Sequence, residues 1–197
     1  MNRRDIIKSS ALFLGYAVST ATLSEAFMAC SQEAKLDWKP TFLTNNQAAS
    51  IAEIAETILP KTKTPGAKEL GVPQFIDKML KDLLSEEEQK DFVGGLEKLE
   101  EDCEKAYGKS FVECTPEQRK EFLTKLDAEA EKLPPSVWGI RLAPSSPTPF
   151  FRRVKELTLL GYFTSQKIGK EVLGYDPIPG KYIACMPLAP GMNAWNE

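Results

Sequence analysis

The chain has 197 residues, 42% of them hydrophobic, and a formal net charge of −3. That is enough for one domain with a packed core and too little for two domains behind a leader segment. It contains no histidine, which excludes Ser-His-Asp and Cys-His catalysis and His-ligated haem, and its charges form no clustered basic surface, which excludes nucleic acid as a partner.

The N-terminus reads as an address. Arg3 and Arg4, one variable residue, two apolar residues and Lys8 resemble a twin-arginine export signal. The stretch after them, Ser9 to Ala29, is diluted by Ser10, Gly15, Ser19, Thr20 and Thr22. It is too weakly apolar for a transmembrane span, and its basic residues stand at the front, as in a signal peptide. An uncleaved anchor helix would place the body outside the cytoplasm equally well. Two cleavage sites compete. Phe27-Met28-Ala29-Cys30 resembles a lipobox, in which Cys30 becomes the lipidated first residue, although leucine is usual where Phe27 stands. Ser24-Glu25-Ala26 offers a small-x-small site to the ordinary signal peptidase. The expected organisation is a signal peptide over 1–29, a polar tether over 30–42 and one helical domain over 43–197.

Helical periodicity begins at Thr44, which with Gln47 has the spacing of a capping box. Ala48, Ile51, Ala52, Ala55 and Ile58 recur on one face, and Pro60 ends that helix. Lys61 to Gly71 is a loop. Pro73 starts a second helix with an apolar stripe of Phe75, Ile76, Met79, Leu80 and Leu83. Ser85 and Glu88 cap a third, with Phe92, Leu96, Leu99, Cys103 and Ala106 inward and Gly108 as its stop. Thr115, Pro116 and Gln118 open a fourth, with Phe122, Leu123, Leu126 and Ala130 inward, and Pro134-Pro135 closes it. A Pro-rich loop carries Trp138. Thr148 and Pro149 begin a fifth helix through Phe151, Val154, Leu157 and Thr158 towards Gly161, and a short sixth is expected from Ser165 to Leu173. The tail from Tyr175 is rich in Pro and Gly, with room for a small two-stranded pairing. The expected fold is all-α: a single irregular bundle of five or six helices with long Pro/Gly-rich loops and an irregular tail.

Motifs for a cofactor are missing from the sequence: there is no Gly-x-Gly-x-x-Gly, no Walker A and no metal-ligand spacing. Four cysteines are too scattered for an iron–sulfur or zinc site. Carboxylates such as Asp77 and Asp127 fall within helical patterns, where solvation or capping accounts for them. Cys103 near the end of the third helix and Cys114 before the fourth could meet across a helix–loop–helix turn. A bridge there would contribute about 2–3 kcal/mol. Alternatively, Cys103 is a small core residue. Cys185 has no assignment.

Three segments resemble the gluconate 2-dehydrogenase subunit 3 family. One is Ile58-Leu59-Pro60-x-Thr62-x-Thr64-Pro65-Gly66-Ala67 followed by Gly71-Val72-Pro73-x-Phe75-Ile76-Asp77. The second is Leu157-Thr158-x-x-Gly161-Tyr162-Phe163-Thr164-Ser165 with Gly169, and the third is Tyr175-x-Pro177-x-Pro179-Gly180-x-Tyr182. The resemblance runs from about Leu43 to Pro187. It implies a small subunit without catalytic residues or cofactor of its own. Its partner would be a large FAD-binding subunit of the glucose–methanol–choline type that oxidises a sugar, glycoside or sugar acid, and a cytochrome c subunit with haem c often completes such complexes. The small subunit would carry the export signal for both and stabilise the flavoprotein in the periplasm, held at the membrane if Cys30 is lipidated.

On this resemblance the candidate partner interface comprises Pro60, Thr62, Thr64, Pro65, Gly66 and Ala67 of the loop and Gly161, Tyr162, Phe163, Thr164 and Ser165 of the fifth helix, with Tyr175 and Tyr182 of the tail. The bland reading is that these residues only shape a loop and let two helices approach. A competing function is a stand-alone exported lipoprotein that binds a carbohydrate through Trp138, Trp195 and the tyrosines.

Overall fold

The computed structural model describes residues 36–130 and 148–174, the backbone of 136–137 and 140–141, and positions 180, 185, 187 and 190–193. Arg3, Arg4, Lys8, Cys30, Trp138, Tyr175, Tyr182 and Trp195 lie outside the described residues. Five α-helices are described: α1 Asn45–Ile58, α2 Val72–Leu83, α3 Glu86–Tyr107, α4 Pro116–Glu129 and α5 Phe150–Phe163. A 3-10 turn, Phe111–Glu113, joins α3 to α4. The short sixth helix expected from Ser165 to Leu173 is present: it is α-helical at 166–167 and runs into a π-type turn, Ile168–Val172. The fold is therefore all-α, as expected. Among the described residues Ser136–Val137 pairs antiparallel with Ile140–Arg141. This pairing lies in the Pro-rich loop, while Gly174 at the start of the tail forms an isolated bridge and the two-stranded pairing expected in the tail falls largely outside the described residues.

The helix starts follow directly from local chemistry. Thr44, Ser85 and Thr115 each accept the N–H three residues on, and Gln47, Glu88 and Gln118 each reach back to the N–H of the capping residue. Each box satisfies two donors that a helix start otherwise leaves orphaned. At the far end of α3, Gly108 takes a left-handed φ of 69°, which an L side chain would resist.

The centre of the bundle is α1. It packs against α2, α4, α5 and the 3-10 turn. The sequence pattern predicts one buried face; in the fold Ala49, Ser50 and Ile54 are buried as well as Ala48, Ile51, Ala52 and Ala55. Alanines let the surrounding helices come close, and Ile51 and Ile54 fill the space between them. Full burial of such an isoleucine is worth about 1.5–3 kcal/mol. Two predicted inward positions are solvent-facing. Leu83 is 68% exposed, because α2 ends there and the chain turns into α3. Ala106 is exposed, and Tyr107 packs on the core in its place, its ring edge-on to Phe122 at 6.2 Å. Among the described residues no helix is long and apolar enough to cross a membrane.

The last residues before α1, expected to close a polar tether, are docked. Leu36, Trp38 and Phe42 pack against the core. The carboxylate of Asp77, 1% exposed, sits in α2 and accepts from the N–H of Thr41 at 2.7 Å, Phe42 at 3.1 Å and Leu43 at 2.8 Å, and from the Thr41 hydroxyl at 2.7 Å. Burial would raise the pKa of this group, but the donors from Leu43, Thr41 and Phe42 outweigh it and hold the carboxyl below the usual aspartate value. Asp77 is thus neither solvated nor a cap of its own helix. It anchors the bend through Thr41, Phe42 and Leu43 that leads into α1.

Asp77→Asn keeps the shape but turns an NH2 group towards N–H donors. We expect it to cost about 2–3 kcal/mol in urea unfolding at neutral pH. Because the folded-state pKa is lowered, the stabilisation is full above about pH 5 and drains away as the pH falls through about 4 and below. The variant should lose that component of acid sensitivity; an unchanged acid profile would show that Asp77 does not carry it.

Candidate functional site

The loop between α1 and α2 is built around a carboxylate. Glu56, in the last turn of α1, accepts the N–H of Lys61 at 3.0 Å and of Lys68 at 2.9 Å. Both ends of the loop are thereby tied to the helix it leaves. Ala67 N–H closes the turn onto the carbonyl of Leu59 at 3.0 Å, and Val72 N–H starts α2 from the carbonyl of Ala67 at 3.1 Å. Gly66 lies directly against the Glu56 carboxylate: a Cβ there would stand 2.3 Å from Oε1. Sequence reading gave Glu56 no role. Its signal, an acidic side chain shortly before a Pro-rich loop, is too common to stand out.

The C-terminal half of α5 packs beside this loop. The Tyr162 hydroxyl donates to the carbonyl of Pro65 at 3.0 Å and stands 3.4 Å from Thr64 Oγ1. One phenol thus joins two segments that lie far apart in the chain. Gly161 is where α5 crosses α2: a Cβ at this position would stand 2.6 Å from Cδ1 of Phe75. The hydroxyls that follow serve the helix end. Thr164 Oγ1 donates to Leu160 O at 2.7 Å, and Ser165 Oγ donates to Tyr162 O at 2.7 Å. Lys167 and Lys61 meet on Glu69, at 3.0 and 2.9 Å. Glu69 has its carboxyl held below the usual range by its bonds to Lys61 and then Lys167, and the Lys61 ammonium is correspondingly raised.

The predicted interface residues therefore divide in two. Gly66, Ala67, Gly161 and Tyr162 are buried, whereas Thr64, Pro65 and Ser165 are half-buried. Pro60, Thr62, Phe163 and Thr164 face solvent. Phe163 belongs to an apolar stripe of α5 whose other two members the sequence reading left out. Leu159, Leu160 and Phe163 are 36%, 46% and 47% exposed, and their i, i+3 and i, i+4 spacings place them on one face of α5. Phe163 is held edge-on against Tyr162, ring centres 5.3 Å apart.

A separate clamp organises the opposite connection. Arg119 of α4 donates to the carbonyls of Phe111 at 3.1 Å and Val112 at 2.5 Å and pairs with Glu53 of α1. Glu100 of α3 accepts from Ser50 Oγ at 2.5 Å and from Phe111 N–H at 2.9 Å. Next to this clamp Cys103 Sγ and Cys114 Sγ stand 3.5 Å apart, both buried. Asp127, weighed above as a reactive carboxylate, is engaged through both oxygens by Lys155 at 2.9 Å. The concavity on α4 lined by Glu117, Lys120, Glu121, Thr124, Lys125 and Ala128 is a strip of side chains along one helix, not a cleft between elements.

Tyr162→Phe removes the hydroxyl that ties the loop to α5 and nothing else. We expect a loss of about 1 kcal/mol in stability, with helical content unchanged and amide exchange accelerated at Lys61–Lys68. Gly161→Ala should cost more, about 1–3 kcal/mol, because the new methyl overlaps the Phe75 ring. Equal or higher stability in either variant would contradict these contacts.

The family described as gluconate 2-dehydrogenase subunit 3 matches residues 45–180. No curated protein and no solved structure matches the chain. The match spans every described helix together with the α1–α2 loop and the Tyr162 contact that reaches it, and on that coverage the chain belongs to the gluconate 2-dehydrogenase subunit 3 family.

Proposed function

We propose that the chain is the non-catalytic small subunit of a periplasmic FAD-dependent dehydrogenase, partnered with a flavoprotein of the glucose–methanol–choline type that oxidises a sugar, glycoside or gluconate. The observation that carries this reading is the family match over residues 45–180, whose description is that of a dehydrogenase subunit. The flavin belongs to the partner, and a cytochrome c subunit would take the electrons onward. The chain's own work is to bind and to carry. Arg3, Arg4 and Lys8 supply the export signal for a large subunit that has none, and Cys30 supplies a lipid anchor.

The geometry supports the binding half of this role. The exposed side chains Phe163, Leu160, Leu159, Pro60 and Thr62 sit on segments held in place by Tyr162, Glu56 and Gly161. An apolar stripe of this kind, with the Lys61–Glu69–Lys167 ion pairs on the adjoining segments, has the make-up of a docking surface: apolar contacts with charged groups in the neighbouring stretches of chain. The large subunit covers it. Tyr175 and Tyr182 would contribute from the tail.

Two experiments test the two halves. Replacing Arg3 and Arg4 by lysine should strand both this chain and the flavoprotein in the cytoplasm. A flavoprotein that still reached the periplasm would end the co-export reading. A tagged wild-type chain should bring down a yellow flavoprotein on purification. Phe163→Asp with Leu160→Asp should abolish that while leaving the chain folded, and undiminished capture would move the docking surface elsewhere.

A further inference from the structure

The α3–α4 corner holds a pair of groups that the docking role leaves unused. Cys103 lies one turn before the end of α3, and Cys114 follows the 3-10 turn directly. They are 0% and 4% exposed, and their sulfurs face each other at 3.5 Å. A disulfide needs about 2.05 Å, so no bond is present at this separation, yet small side-chain rotations would close it. The sulfurs owe their position to contacts made by other residues. Arg119 grips the carbonyls of Phe111 and Val112, and Glu100 grips the Phe111 N–H. The corner is thus assembled around the pair whether or not it is bonded.

We propose that Cys103 and Cys114 are an oxidation site, converted to a disulfide by exchange with an external disulfide donor, and that the exchange proceeds only when the 3-10 corner opens. The step balances as two exchanges. One cysteine thiolate attacks a sulfur of the donor, forming a mixed disulfide and expelling one donor thiolate. The second cysteine thiolate then attacks its neighbour's sulfur and expels the other. The two thiols lose two electrons and two protons, and the donor disulfide is reduced to two thiols. Opening is required for two reasons. A donor cannot reach sulfurs buried this deeply. Burial, and then the bond to Cys114, also push the Cys103 thiol up to about 12, so in the closed corner the nucleophilic thiolate is scarce. A chain that folds reduced, as the proposed export of a folded protein would have it, therefore takes on the bridge late.

Trypsin provides the readout. It cuts after Lys98, Lys105, Lys109 and Arg119, so a bridge joins the peptide 99–105 to the peptide 110–119. The full chain is purified reduced, incubated with oxidised glutathione with and without urea below the unfolding transition, alkylated in denaturant and digested without reduction. The expected result is the joined peptide pair, separable by reductant, formed on the order of tenfold faster in urea. Exposed Cys185 should take glutathione quickly in both conditions. If peptides 99–105 and 110–119 are recovered only as separate alkylated species, the bridge is refuted. If they join at the same rate with and without urea, the requirement for opening is refuted.

Discussion

Burying α1 on nearly every side is the constraint from which the remaining arrangement follows. A helix so enclosed brings the polar side chains of its middle and last turns against the elements that cover it, and Ser50, Glu53 and Glu56 find partners there. Ser50 donates to Glu100 of α3, which in turn holds the N–H of Phe111. Glu53 pairs with Arg119 of α4 and with Lys68 of the loop at 2.5 Å. Glu56 takes the N–H groups of Lys61 and Lys68. Three polar positions on one helix thus assign three places: the 3-10 corner, α4 and the loop towards α2. The apolar residues between them supply most of the stability, and the polar ones decide which neighbour sits where.

Much of this fold is legible in the sequence because helix ends are local. Thr44 with Gln47, Ser85 with Glu88 and Thr115 with Gln118 are three-residue spacings, and all three form as reciprocal caps. What escapes is long-range. The Glu53–Arg119 pair spans 66 residues and the Ser50–Glu100 bond 50; neither spacing leaves a trace in periodicity. The same limit explains α1. Alanine at 48, 49, 52 and 55 reads as neutral on any face, so a helix enclosed on several sides looks like one buried on a single stripe. Asp77 shows the converse error. A lone acidic residue in a helical pattern is most often solvated, and only the arrival of Thr41, Phe42 and Leu43 overhead makes burial of its charge affordable.

The candidate site was legible as segments and not as a surface. The loop and the Gly-Tyr-Phe-Thr-Ser stretch could be picked out as motifs, but which of their residues face outward depends on a contact across some hundred residues. Tyr162 reaching Pro65 is that contact. It turns Tyr162, Gly161, Gly66 and Ala67 inward, and it leaves Phe163, Pro60 and Thr62 at the surface. The apolar stripe of Leu159, Leu160 and Phe163 was hidden because a helix that begins Phe150-Phe151 already has ample apolar residues to account for its buried face. Only burial, residue by residue, shows that this helix carries more of them than the core can use.

That surplus bears on how the proposed docking would work. A surface made of loops would lose conformational freedom on binding, and that loss would be subtracted from the affinity. Here the exposed residues ride on a helix and on a loop already fastened at both ends by Glu56 and at its middle by Tyr162. Little is left to order when a partner arrives. The bland and the functional readings of the motif are then not alternatives. Residues that merely shape a loop and let α5 approach α2 are what keeps Phe163, Leu160 and Pro60 in fixed relation. A change at Gly161 or Tyr162 would weaken association without touching the partner, by loosening the frame on which the contact residues are mounted.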